Sequence, residues 1–167
     1  EALGATQFRD FANTVPSLTF TTSGVGSTQV NLRGITNGNN ISPTVGIYVD
    51  EVPYGSSTPF ASGAQLALDV GLFDVSRIEI LRGPQGTLYG ASTMGGLLKY
   101  VSVVPDTTAF GATARAGVVS TSGGGDGYDA AAAVNAPLAD DKAARRVSGF
   151  YTHDGGFIDN LASGRED

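Results

Sequence analysis

Glycine sets the first limit on this chain. It fills 24 of 167 positions, about twice its average share. Each glycine in a helix interior costs about 1 kcal/mol relative to alanine, so a helical bundle is a poor solution. Strands, turns and close backbone approaches are better ones. Charge is scarce too, at 16% of residues against about 25% in ordinary soluble domains. The absence of cysteine excludes a disulfide scaffold and any thiolate metal site. The single histidine, His153, excludes a multi-histidine metal centre within the chain. Ten basic residues against sixteen acidic ones leave a net charge of −6. That balance argues against a nucleic-acid partner, whose phosphates demand clustered Lys and Arg.

A length of 167 residues suits one ordinary domain or two very small ones. No apolar run approaches the roughly eighteen residues of a membrane helix, and no charged and then apolar leader opens the chain at Glu1. Neither observation bears on membrane β-strands, which need only about ten residues of alternating polarity.

Hydrophobic spacing divides the chain into three stretches. In the first, Phe8, Phe11, Ala12 and Val15 fall on one helical face, with Thr6 as amino-terminal cap and Pro16 as stop. Leu18–Thr21 and Thr28–Arg33 alternate as strands, and Gly34–Ser42 is a loop rich in residues that tolerate positive φ. Val45–Val49 reads as a buried strand running into the loop Asp50–Gly55. The second stretch starts near Leu66. Its best strand is Val75–Leu81, with Val75, Arg77, Glu79 and Leu81 predicted on one face and Ser76, Ile78 and Ile80 on the other. Arg82–Gly86 must turn around Pro84, and Leu97–Val104 forms a last strand before Pro105. Together these predict a small α+β body over residues 1–106.

The third stretch changes character. Phe110, Ala112, Ala114, Ala116 and Val118 alternate with Gly111, Thr113, Arg115 and Gly117, and Tyr128–Ala136 repeats the pattern. Ser120–Gly127 reads as a loop, Leu138–Lys142 as a tight turn and Ala144–Thr152 as a third strand. Strand length, polarity and the long-loop, short-turn asymmetry fit the opening of an outer-membrane barrel. They also fit a soluble antiparallel sheet with one wet face.

One ordered series of motifs narrows the choice. Asp74–Gly90 (DVSRIEILRGPQGTLYG), followed by Gly95-Gly96-Leu97-Leu98, resembles the signature of the plug domain of TonB-dependent outer-membrane receptors. Upstream, Asn31–Ile35 resembles the family's first Arg-Gly strand end, and Tyr48–Pro53 its central strand and loop. An isolated Arg-Gly would mean nothing, whereas this order over roughly seventy residues is specific. The resemblance implies an α+β plug domain, a small mixed sheet with short helices, over residues 1–106. The antiparallel strands of a truncated transmembrane β-barrel would follow over 107–167. The chain would then start inside the plug, without its first strand or its energy-coupling box. The 61 residues after residue 106 allow about three strands, where plugged transporters have about 22.

The family resemblance also implies function. Such a receptor sits in the outer membrane of a Gram-negative bacterium, with its barrel in lipid and its plug in the lumen. It takes up a scarce nutrient (a siderophore, cobalamin, haem, an oligosaccharide or similar) as a small-molecule or metal-chelate ligand. Its partner is TonB, driven by the inner-membrane ExbB–ExbD motor and engaged through the coupling box. By motif, Arg33, Asn39, Tyr54 and Tyr89 are the expected ligand contacts, and Arg77, Glu79 and Arg82 the expected plug–barrel contacts. No cofactor, resident metal or catalytic residue is expected.

Other motifs have simpler readings. Arg82–Gly86 lacks the Gly-Lys-Ser/Thr ending of a phosphate loop. Gly124–Asp129 is one copy of a calcium nonapeptide that needs several to stack. Asp50-Glu51, adjacent on a strand, would point to opposite faces and cannot act as a catalytic carboxylate pair. Nothing near His153 supplies a nucleophile. The reading that competes with a receptor is a soluble plug-like binding or adaptor module without a barrel.

Overall fold

The computed structural model describes residues 8–22, 28–35, 44–54, 72–120, 124–139 and 141–156. These belong to two compact units, Glu1–Val103 and Val104–Asp167. Thr6 and Asn39 lie outside the described residues.

The first unit opens with helix α1 (Phe8–Ala12) and a hairpin of β1 (Leu18–Thr22) and β2 (Thr28–Leu32). A four-stranded sheet follows, built from β3 (Val45–Val49), β4 (Val52–Pro53), β5 (Val75–Arg82) and β6 (Gly96–Ser102). A short helix, α2 (Gly86–Tyr89), sits between β5 and β6. The strand order is β4-β3-β6-β5; β3 and β6 run parallel and the outer pairs antiparallel. Helix α1 is too short to stand alone. It is held by Phe8, Phe11 and Ala12, all buried against Leu18, Val30, Ile47, Leu98 and Tyr100. Phe8 meets Phe11 and Phe20 edge-on, at 5.1 and 5.5 Å between ring centres.

Strand β5 departs from simple alternation. A bulge between Val75 and Arg77 lets Val75 oppose Ser102 while Arg77 opposes Val101. The extra residue reverses the parity, so Val75 packs on the core with Ile78 and Ile80 rather than sharing the Arg77 face. Asp50 and Glu51 form a turn, as the loop reading of this segment expects, whereas Val52–Pro53 after them pairs as the edge strand β4. Asp50 takes a left-handed φ of 54°, and its carboxylate accepts bonds from the Ser102 amide (2.9 Å) and hydroxyl.

The sheet face away from the core carries a polar row beside the buried Leu97. Tyr48, Lys99 and Glu79 lie side by side across β3, β6 and β5. Lys99 is buried, and its ammonium donates to the exposed Glu51 carboxylate. That hydrogen bond outweighs desolvation and raises the Lys99 pKa above its ordinary 10.5.

Strand ends are packed just as tightly. At Gly96 (φ 148°) a Cβ would stand 2.3 Å from the Leu81 carbonyl oxygen and 2.4 Å from Leu32 Cδ2. Only glycine lets β6 start beneath both.

The second unit is an antiparallel meander of β7 (Gly111–Ser120), β8 (Asp126–Ala139) and β9 (Ala143–His153). Strand β8 runs further than alternation alone indicated and takes in Leu138 and Ala139. Pro137, which has no N–H to give, sits where the β8–β9 register slips. Two faces alternate along the meander. Ala116, Ala130 and Tyr151 share one row, and Val118, Tyr128 and His153 the next. On this face Val118 is 88% exposed, and Val134, Val147 and Tyr151 are exposed too. The opposite face holds the buried Ala131, Ala133 and Asn135, and the Arg115–Asp129 ion pair at 3.3 Å.

The close packing and the buried lysine of the first unit have measurable consequences. Gly96→Ala is expected to destabilise it by about 3 kcal/mol or more, from combined backbone strain and overpacking. Gly86→Ala, with open space around its Cβ, is expected to be neutral or slightly stabilising in denaturant unfolding followed by tyrosine fluorescence. The Lys99 contribution should be complete below pH 10.5 and fade as pH rises through the higher folded value. Alkaline unfolding curves check this, and Glu51→Gln should flatten the loss.

Candidate functional site

One end of the four-stranded sheet gathers three chain segments. The parallel pairing puts the starts of β3 and β6 together, beside the end of β5, with Val45 and Arg82 both opposite Gly96. Backbone bonds then lace the ends: Gly83 N–H donates to Gly95 O (3.1 Å), and Gly95 N–H to Thr44 O (2.9 Å). The Thr44 hydroxyl donates to Ile35 O at 3.0 Å, which brings in the turn after β2.

Arg33 stands in that turn with a left-handed φ of 59°. Its N–H donates to Ser17 O at 2.8 Å, so the residue is fixed although its side chain is exposed. Its guanidinium Nη1 lies 3.5 Å from where a Cβ on Gly83 would be. The Arg-Gly turn after β2 and the Arg-Gly-Pro turn after β5 therefore meet.

The loop between β5 and β6 is held at its neck by Thr93, which is fully buried. Thr93 accepts from Gln85 N–H (2.9 Å), donates its hydroxyl to Gly90 O (2.7 Å) and lies on Gly46 of β3. A Cβ at Gly46 would come within 2.5 Å of the Thr93 methyl. Helix α2 is thereby carried as a fixed knob. It presents Leu88, 81% exposed, near the exposed Met94 in sequence.

Tyr89 ends α2 half-buried. Its carbonyl accepts from the Tyr48 hydroxyl at 2.7 Å, and the two rings meet edge-on at 5.2 Å. Tyr54 follows the edge strand β4; its N–H donates to Ile47 O and its side chain is exposed. Arg77 Nε lies 2.7 Å from Glu79 Oε1, so these two balance one another on the surface of β5. Arg82 closes that strand, exposed. Among the described residues no cluster of three or more His, Cys, Asp or Glu could hold a metal ion.

Sequence reasoning passed over Thr93, the Asp50–Ser102 bonds and the Lys99–Glu51 pair. A lysine inside the apolar run LLKYV was the available signal, since a buried ammonium requires a carboxylate.

Known proteins are similar to this chain in sequence and in fold. The chain is 32% identical over 166 residues to the pesticin receptor of Yersinia pestis, a match covering 98% of this chain and 23% of that protein. It is 35% identical over 100 residues to the hemin receptor of Yersinia enterocolitica, covering 59% of this chain and 13% of that one. The crystal structure of the ferric yersiniabactin uptake receptor FyuA from Yersinia pestis superposes with a TM-score of 0.69 at 28% identity. It covers 89% of this chain and 22% of FyuA. The unliganded ferric citrate transporter FecA shares the fold, with a TM-score of 0.65 at 23% identity over 91% of this chain and 24% of its own. The chain thus spans less than a quarter of the length of these relatives. Residues 1–97 match the family described as TonB-dependent Receptor Plug Domain, and the chain belongs to that family.

Proposed function

We propose that the chain forms the plug and the first three barrel strands of an outer-membrane receptor that imports a ferric chelate under the pull of TonB and its ExbB–ExbD motor. One observation carries the reading. The meander β7–β9 exposes an apolar row on one face, while the other, apart from Val119 and Phe150, holds small and polar residues. Lipid on one side and a wet lumen on the other account for that pattern. A soluble adaptor would hold Val118, Val134, Val147 and Tyr151 in water for no return. The ferric chelate is favoured among possible nutrients by the likeness to the ferric yersiniabactin receptor, the closer in identity of the two structures described.

The laced end of the plug sheet is the proposed ligand floor. Arg33 supplies a fixed cation for an anionic chelate, and Tyr54 and Tyr89 supply aromatic area. Asn39 completes the proposed set from the loop after the Arg33 turn. Arg77 and Glu79 on one face of β5, with Arg82 at its end on the other face, are the charged groups with which the plug would grip a polar lumen wall.

Deletion of the complete gene is expected to abolish growth on one ferric siderophore of a panel under iron restriction. In the complete receptor, Arg33→Ala should weaken that chelate's binding about 10- to 100-fold, the worth of a charge-assisted hydrogen bond. Unchanged affinity in the Arg33→Ala, Tyr54→Ala, Tyr89→Ala triple variant would move the ligand floor elsewhere. The direction of the barrel is tested separately: strand β7 is proposed to run outward from the linker. A cysteine at Gly124 should then react with an impermeant maleimide on whole cells, and reaction only after cell rupture would reverse the topology.

A further inference from the structure

The passage from the first unit to the second is held by a different set of bonds on each side. On the plug side the chain is tied through Val103. Asp50 accepts from the Ser102 amide and hydroxyl, and Val103 N–H donates to Asp74 O at 3.2 Å. On the barrel side it is tied from Asp106 onward. The side-chain amide of Asn135, on β8, accepts from Asp106 N–H (2.9 Å) and donates to both Asp106 O (2.9 Å) and Ala109 O (2.7 Å). It bonds both backbone groups of Asp106, as a neighbouring strand would. The Asp106 carboxylate then accepts from the Thr108 amide and hydroxyl, at 2.8 and 2.6 Å, which fixes the turn.

Only Val104 and Pro105 lie between the two clamps. Val104 is 80% exposed, and among the described residues its backbone N–H has no hydrogen-bond partner; Pro105 has no N–H to give. We infer that Asn135 is a positioning residue that makes the turn 106–109 part of the barrel wall, leaving Val104–Pro105 as a two-residue tether from plug to wall. From Cα103 to Cα106 such a tether reaches at most about 11 Å. A plug that moves further as a rigid body must break one clamp. The bonds to Ser102 are exposed and compete with water, whereas Asn135 is 2% exposed, so the plug side yields first. On the receptor reading above, on which the consequence for transport rests, the plug opens by unravelling toward a carboxyl-terminal end that stays fixed to the wall.

Residue-resolved amide hydrogen exchange on the complete receptor in detergent micelles tests the clamp without any ligand. Asp106 and Thr108 should be protected and Val104 should exchange as an open chain does. Asn135→Ala should speed exchange at Asp106 at least 10-fold and leave Ala131 and Ala133 unmoved. Asn135→Asp, which keeps the acceptor and loses both donors, should fall between. Single-molecule pulling from the amino end supplies the mechanical readout: with the barrel held in a bilayer, Asn135→Ala should lengthen the extracted segment by residues 106–110, about 17 Å. Equal exchange at Val104 and Asp106 in the wild type would overturn the inference even if Asn135→Ala fails to insert. An unchanged extraction length in Asn135→Ala would overturn it as well. Failure of the ferric-chelate reading would leave all these exchange rates as stated.

Discussion

Strand β6 is the element on which the rest of the chain depends. It pairs parallel with β3 and antiparallel with β5, so it fixes which strand ends and loops share an end of the sheet. Its start lies beneath Leu32 and the Leu81 carbonyl, a space that only glycine fits. Its middle buries Leu97, Leu98 and Tyr100. Its last residue, Ser102, is tied by Asp50, two residues before the chain leaves the plug. A parallel β3–β6 pair also requires a long crossover. The chain between β3 and β6 contains β5, which returns to pair antiparallel on the far side of β6.

In the membrane setting proposed for it, the second unit answers a different constraint. Every backbone N–H and C=O in hydrocarbon needs a partner, and β8 satisfies this from both sides while β7 and β9 each leave one edge unpaired within the chain's described sheet. The alanine-rich rows suit such a wall. On the proposed receptor reading, the face of Ala131 and Ala133 would leave room for what fills the lumen, and the aromatic stack of Tyr128 on Tyr151, with His153 at 4.8 Å, would stand at one end of the lipid-facing side. Amphipathic rings at a strand end are where a membrane interface accepts them.

Period-two alternation was sufficient to read β1, β2 and the three-strand meander, because half-buried strands leave that mark directly in the sequence, and β3 showed as a short apolar run. Turn chemistry marked the Arg-Gly and Arg-Gly-Pro corners for the same reason. The bulge in β5 was not legible: a single inserted residue, with Ser76 at the break, leaves no compositional trace, yet it moves Val75 to the other face. Nor was the Asp50–Ser102 tie legible, since a loop aspartate shows neither its left-handed φ nor its partner until Ser102 is brought to it. Of the site, Arg33 and the Gly83 turn were both read from motifs, but their meeting is set by the bonds through Gly95 and Thr44 that join the two sheets. Asn135 was invisible as a clamp, because its partners lie 26 and 29 residues upstream.

The central claim is that a plug is followed directly by strands that face lipid on one side only. Spin labels placed one at a time along β7 and β8 of the complete protein in bilayers test it most directly. Labels at Ala114, Ala116, Ala130 and Ala132 should be relaxed by lipid-soluble oxygen and shielded from a water-soluble nickel chelate. Labels at Thr113, Arg115, Ala131 and Ala133 should show no such preference for oxygen, giving a period of two along each strand. Equal access of the nickel chelate to both rows would contradict the account and return the chain to a soluble module.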